Sequence, residues 1–109
     1  MTAPPNGSSH DLAHPQEQDL DLTQVLFALS DPGRLEIVRQ LRDGPVEMAQ
    51  CNLADPTVAK STKSHLFKVL REAGVILNLP KGRGRLLSLR REELDRRFPG
   101  LLDAVLDAS

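Results

Sequence analysis

Apolar residues in this chain recur first at helical spacing and then at strand spacing. Leu22, Val25, Leu26 and Leu29 fall at i, i+3, i+4 and i+7, which predicts one apolar stripe on a helix over 21–29. A second helix is bounded on both sides. Ser30 or Asp31 can cap it, Pro32 suits its first turn, Leu35, Ile37, Val38 and Leu41 give its buried side, and Gly44–Pro45 stops it. The stretch "VEMAQCNLADPTVA" has no clear period. A short helix over 46–53 is the expectation, limited by Pro56.

A long helix follows over 60–73, ending before Gly74. With Lys60 set at zero and about 100° per residue, Thr62, Leu66, Val69, Leu70 and Ala73 share one arc. Lys60, Ser61, Ser64, His65, Lys68, Arg71 and Glu72 share the opposite one, and Lys63 sits on the rim of the apolar side. The pattern then shifts to strands. Residues 75–79 and 85–89 predict a hairpin whose loop holds Pro80, Gly82 and Gly84 and whose tip is basic through Lys81, Arg83 and Arg85. The last segment is helical, broken at Pro99–Gly100, with Leu94, Phe98, Leu101, Leu102, Val105 and Leu106 on its apolar side.

The fold class expected is therefore mostly α with a β-hairpin (α+β), a winged helix-turn-helix. Residues 1–18, rich in Pro, Gly, Ser, His and Gln, are expected as a disordered acidic or polar tail. Residues 19–109 form the domain. At 109 residues the chain makes one small domain, and its single cysteine provides no internal disulfide. Pairing with a second copy is the remaining common route to stability, so a homodimer is expected. The N-terminus lacks the basic start and apolar run of a signal peptide, and no run is long enough to span a membrane. With the cysteine usage, this points to the cytoplasm.

Charge changes the picture more than composition does. The net charge is −1, yet its distribution is uneven. Residues 1–31 carry Asp11, Glu17, Asp19, Asp21 and Asp31 and no Lys or Arg. Residues 60–97 carry eleven Lys and Arg against Glu72, Glu92, Glu93 and Asp95. A helix face of short hydroxyls interleaved with cations suits a phosphate backbone, because Ser and Thr allow close approach and donate while Lys supplies charge. Beside a basic hairpin tip, that face fits a recognition helix in the major groove with the wing on the adjacent backbone or minor groove. The candidate contact residues are Lys60, Ser61, Thr62, Lys63, Ser64, His65 and Lys68 on the helix and Lys81, Arg83 and Arg85 on the wing. A solvated surface helix with ordinary ion pairs is the plainer alternative.

The stretches "ALSDPGRLEIVRQL" (28–41) and "STKSHLFKVLREAGVI" (61–76) resemble the ArsR/SmtB family of bacterial winged-helix repressors. The first is similar to the family's "L-x-D-P-x-R-L-x-I-L-x-x-L", the second to its recognition helix. The wing "KGRGRLLSL" fits the family's position. The similarity covers roughly residues 20–107. It implies a dimer that sits on operator DNA as a repressor and leaves when an inducer binds. Family dimers pair through their first and last helices, which here are Leu22, Val25, Leu26 and Leu29 with Leu101, Leu102, Val105 and Leu106. The chain departs from the pattern at Lys63, where relatives carry an apolar Val, and at "NLADPTVAK", which is short and contains Pro56.

Many members of that family sense metals. Its "C-V-C" pair is represented here only by Ala49–Gln50–Cys51. Its C-terminal site keeps Asp103 and Asp107 without a histidine. The remaining candidate is "HDLAH", whose His10 and His14 at i, i+4 could share one divalent ion, nickel or zinc, if the segment becomes helical. Incidental histidines in a tail are the competing explanation. A catalytic role is not expected, because no nucleophile turn, phosphate-binding glycine loop or metal-ligand triad is present. A winged-helix module that binds a co-regulator protein without reading DNA is the alternative to a DNA-binding regulator.

Overall fold

The computed structural model describes residues 11–108. Its first helix, α1 (Leu22–Ala28), begins where Asp21 accepts from the Gln24 N–H at 3.3 Å. The second, α2 (Pro32–Gln40), starts as the sequence predicts. Asp31 accepts from Arg34 N at 3.1 Å and Pro32 takes the first turn, where its missing N–H has no partner to lose. Arg34 then turns back on α1. Its Nε donates to the Ala28 carbonyl at 2.7 Å and its Nη2 to the Phe27 carbonyl at 3.0 Å. A buried guanidinium thus satisfies carbonyls that the end of α1 leaves without helical partners.

The next stretch departs from expectation. In place of a short helix over 46–53 there is a two-residue strand, β1 (Val46–Glu47), and a 3-10 turn over Met48–Gln50. Val46 and Glu47 pair antiparallel with Leu87 and Leu86. Proline at 45 and 56 leaves little room for a helix, and β-branched Val46 follows Gly44–Pro45 directly onto an open strand edge. From Cys51 to Ala59 the chain is irregular and held by side chains. Glu36 accepts from Ala54 N at 2.5 Å, Gln40 donates to the Asn52 carbonyl at 2.7 Å, and Asp55 accepts from Thr57 N at 2.9 Å.

The long helix α3 (Lys60–Glu72) buries Leu66, Phe67 and Leu70. It ends in paired bonds from Gly74 N to the Arg71 carbonyl (3.0 Å) and from Val75 N to the Leu70 carbonyl (2.9 Å). Gly74 has φ +85°, and a Cβ there would meet Leu20 Cδ2 at 2.1 Å, so both conformation and space demand glycine. Strands β2 (Ile76–Lys81) and β3 (Gly84–Leu89) follow, joined through Gly82 and Arg83, with Gly82 at φ +58°. The sheet order is β1-β3-β2, so β2 is an edge. The chain closes with α4 (Arg91–Arg97) and α5 (Leu101–Ala108).

The core gathers Val25, Ile37, Val38, Leu41, Leu70, Ile76, Leu87, Leu94, Leu102 and Leu106 from every layer, with Cys51 sealed inside it. The residues proposed to pair two copies divide. Val25, Leu29, Leu102 and Leu106 are spent inside the protomer, and Leu101 and Val105 are half-buried. Leu22 and Leu26 remain 43% exposed, beside Phe27 at 61%. A single stripe therefore serves two surfaces, and Phe27, which the stripe omitted, has the most exposed apolar side chain of the three.

Residues 11–18 also differ from the sequence expectation. They pack along the domain as an extended run ending in a 3-10 turn (Glu17–Asp19), tied down by the arginines of the C-terminal half. Composition marks such a run as unable to build its own core, but it carries no signal that distant arginines will hold it. Residues 1–10, including His10, lie outside the described residues.

Candidate nucleic-acid interface

The polar arc of α3 emerges as the periodicity predicts, with Lys60, Ser61, Ser64, His65 and Lys68 all exposed. Thr62, which the same periodicity puts in the apolar arc, is exposed too, because burial on α3 begins only at Leu66. The helix opens at Ala59, which offers no side-chain acceptor, so the first-turn N–H groups and the positive end of the helix dipole face outward beside Ser61 and Thr62. The sheet places the hairpin alongside. Ser64, Phe67, Lys68 and Arg71 of α3, Asn78 of β2, Met48 and Leu12 line one groove of about 260 Å³, so the middle of the helix meets the hairpin at Asn78 there.

Three of the predicted contact residues are not simply presented to solvent. Lys63 turns back into the lead-in segment, where its Nζ donates to Asn52 Oδ1 at 3.0 Å. A cation replaces the expected apolar residue there because its neighbour is an irregular polar turn. Lys81 lies 3.5 Å from Glu47 across the sheet, both side chains being more than half exposed. Arg85 is the most constrained. Its Nε donates to Asn78 Oδ1 at 2.8 Å, and its Nη2 donates to the Asn78 carbonyl at 2.6 Å and to Asp11 Oδ1 at 2.9 Å. That guanidinium holds the Asp11 carboxyl below the usual carboxylate range. Arg83, at the hairpin tip, is exposed.

The metal candidates do not converge. His14 Nε2 accepts from the Asn78 N–H at 2.9 Å, and burial, with Arg71 and Arg90 nearby, pulls its imidazole below the usual histidine range. Cys51 is fully buried, and desolvation pushes its thiol up. Asp103 pairs with Arg91 at 3.0 Å and Asp107 with Arg42 at 2.5 Å. Among the described residues no three His, Cys, Asp or Glu side chains are grouped to hold an ion. The described donors are thus not arranged to hold a metal, and His10 of the His10–His14 pair lies outside the described residues.

No family model matches the chain. Over 91 residues it is 33% identical to the uncharacterized HTH-type transcriptional regulator YceK of Bacillus subtilis strain 168, covering 83% of this chain and 91% of that protein. It is also 34% identical over 86 residues to the HTH-type transcriptional regulator NmtR of Mycobacterium tuberculosis, covering 78% of this chain and 67% of that one. The chain belongs to the ArsR/SmtB family. Solved ArsR-type structures agree on the fold. A crystal structure of an ArsR family transcriptional regulator superposes with TM-score 0.62 at 24% identity, covering 76% of this chain and 90% of that one. A possible transcriptional regulator for arsenical resistance superposes with TM-score 0.60 at 26% identity, covering 81% and 93%. As an ArsR/SmtB member the protein is a transcriptional regulator and not an enzyme. Among its described residues no helix is long and apolar enough to cross a membrane.

Proposed function

We propose that the protein is a cytoplasmic, homodimeric repressor that reads operator DNA with the outer face of α3 and grips the flanking backbone with the hairpin. The observation that carries this is the pairing of two exposed basic elements: a hydroxyl-rich face of α3 with an uncapped N-terminus, and beside α3 a hairpin whose tip carries exposed Lys81 and Arg83. In this assignment Ser61, Thr62, Lys68, Lys81 and Arg83 take phosphates, and Lys60, Ser64 and His65 reach base edges. Arg85 enters only after its present partners are displaced, while Lys63 stays on Asn52 as a pin. Leu22, Leu26 and Phe27, joined by the half-buried Leu101 and Val105, form the apolar surface for the second copy.

Fluorescence anisotropy with a duplex from the protein's own promoter tests the reading. A dimer should prefer a partly palindromic site with half-sites about 34 Å apart, and binding should weaken steeply with salt. Lys60→Glu with Lys68→Glu should abolish it. Absence of binding at low salt, with a co-regulator complex that survives those changes, would instead favour a protein-interaction module. A nickel- or zinc-responsive form using His10 and His14 would need a donor other than the His14 Nε2 lone pair already held by Asn78, or would have to break that bond first.

A further inference from the structure

The groove between α3 and the hairpin already has an occupant. Leu12 lines it together with Ser64, Phe67, Lys68, Arg71 and Asn78. Polar contacts hold the chain on both sides of Leu12. Asp11 accepts from Arg85, and the Ala13 carbonyl accepts from Arg71 Nη1 at 2.5 Å. His14 accepts from the edge-strand N–H of Asn78 at 2.9 Å, and the Pro15 carbonyl accepts from Arg90 Nη1 at 2.7 Å. The first three partners alternate between hairpin and helix, and Arg90 follows β3 directly, so the segment bridges the two elements proposed to hold DNA.

A duplex with α3 in its major groove and the hairpin tip at the neighbouring minor groove must carry the intervening phosphates between them. That path runs along this groove. Asp11 presents an anionic oxygen to Arg85 in the way a phosphate would. Arg71 is meanwhile spent on a backbone carbonyl. Asp11 and Arg85 side chains are 25% and 28% exposed and Leu12 is 37% exposed, so the pair keeps one edge open to water. A phosphate arriving at that edge offers Arg85 the same charge-assisted bond that Asp11 does.

We propose that residues 11–15 are an inhibitory strap: they occupy the phosphate path in the DNA-free protein, hold Arg85 and Arg71 back, and leave when duplex DNA binds. The proposal rests on the DNA-reading assignment above and adds its regulation. The strap lowers affinity without abolishing it, because each contact it makes is one that DNA can replace.

The test compares full-length wild type with Asp11→Asn, using a fluorescein-labelled duplex of arbitrary sequence, since the phosphate path carries no sequence requirement. Freeing Arg85 before binding should raise affinity about five- to tenfold near 0.1 M salt and leave the log–log salt slope nearly unchanged, because Arg85 reaches the same phosphate in both complexes. In wild type, the amide of Asn78 should exchange faster once DNA is added, because its acceptor on His14 departs. That second readout needs no variant and so does not depend on how Asp11→Asn folds. Equal affinity for the two proteins, with Asn78 more protected in the complex, would overturn the strap and leave DNA reading intact. Failure of both proteins to bind at low salt would overturn DNA reading and the strap with it.

Discussion

The recognition helix and the segment leading into it are neighbours in sequence and opposites in how they are held. Helix α3 is fixed by apolar burial: Leu66, Phe67 and Leu70 face the core, and its paired bonds at Gly74 complete its end. Residues 51–59 have Cys51 inside and Leu53 packed against the core, and the rest of the segment is held by Glu36, Gln40 and Lys63 reaching in from α2 and α3 to bond its polar groups. The difference teaches where a small winged helix can vary. Burial fixes the element that must be placed rigidly, while its lead-in can lose regular structure if side chains replace the missing backbone bonds.

The largest test of that contrast is Leu70→Ala. Removing a fully buried leucine should cost about 2–5 kcal/mol, and the whole domain should melt earlier in one cooperative transition. Glu36→Ala should cost less, about 1 kcal/mol, because the lost acceptor lies near solvent. Its signature is local: amides over 52–58 should exchange faster while those of α3 do not. Equal loosening of both would mean that the lead-in and the helix form one unit.

Lys63→Met is smaller still, about 0.5 kcal/mol or less. It separates a pin from a phosphate contact. The salt slope of DNA binding should stay unchanged for Lys63→Met and flatten by about 0.9 for Lys68→Met. The mildest probe alters no residue. Because burial pushes the Cys51 thiol up, thiolate stays scarce at pH 8. Iodoacetamide should label Cys51 slowly in native protein and quickly in urea. Rapid native labelling would show that the lead-in opens on its own.

The same contrast explains what the sequence revealed. Asp31, Pro32 and Gly74 announce helix ends because capping and positive-φ chemistry is local. The two faces of α3 are legible because burial repeats with the helix period. Lys63 looked like a misfit because its explanation, Asn52, has no periodic relation to it. Arg34 closes the end of α1, a role that no periodic pattern marks. The docking of Asp11 on Arg85 bridges 74 positions, and neither residue carries a mark that names the other. The leucines of α1 form one stripe in sequence, yet helical spacing cannot say whether an apolar surface turns toward its own core or a second copy. Val46 carries no strand signal because a two-residue strand is too short to show alternation.

The course of residues 11–15 has a practical consequence for handling this protein. The described chain begins at Asp11 on Arg85, beside the recognition helix and the free edge of β2. A tag joined at the N-terminus is tethered through those contacts, whereas a tag after α5 is tethered through a helix that makes none of them, so affinities measured with the two fusions should not be treated as interchangeable.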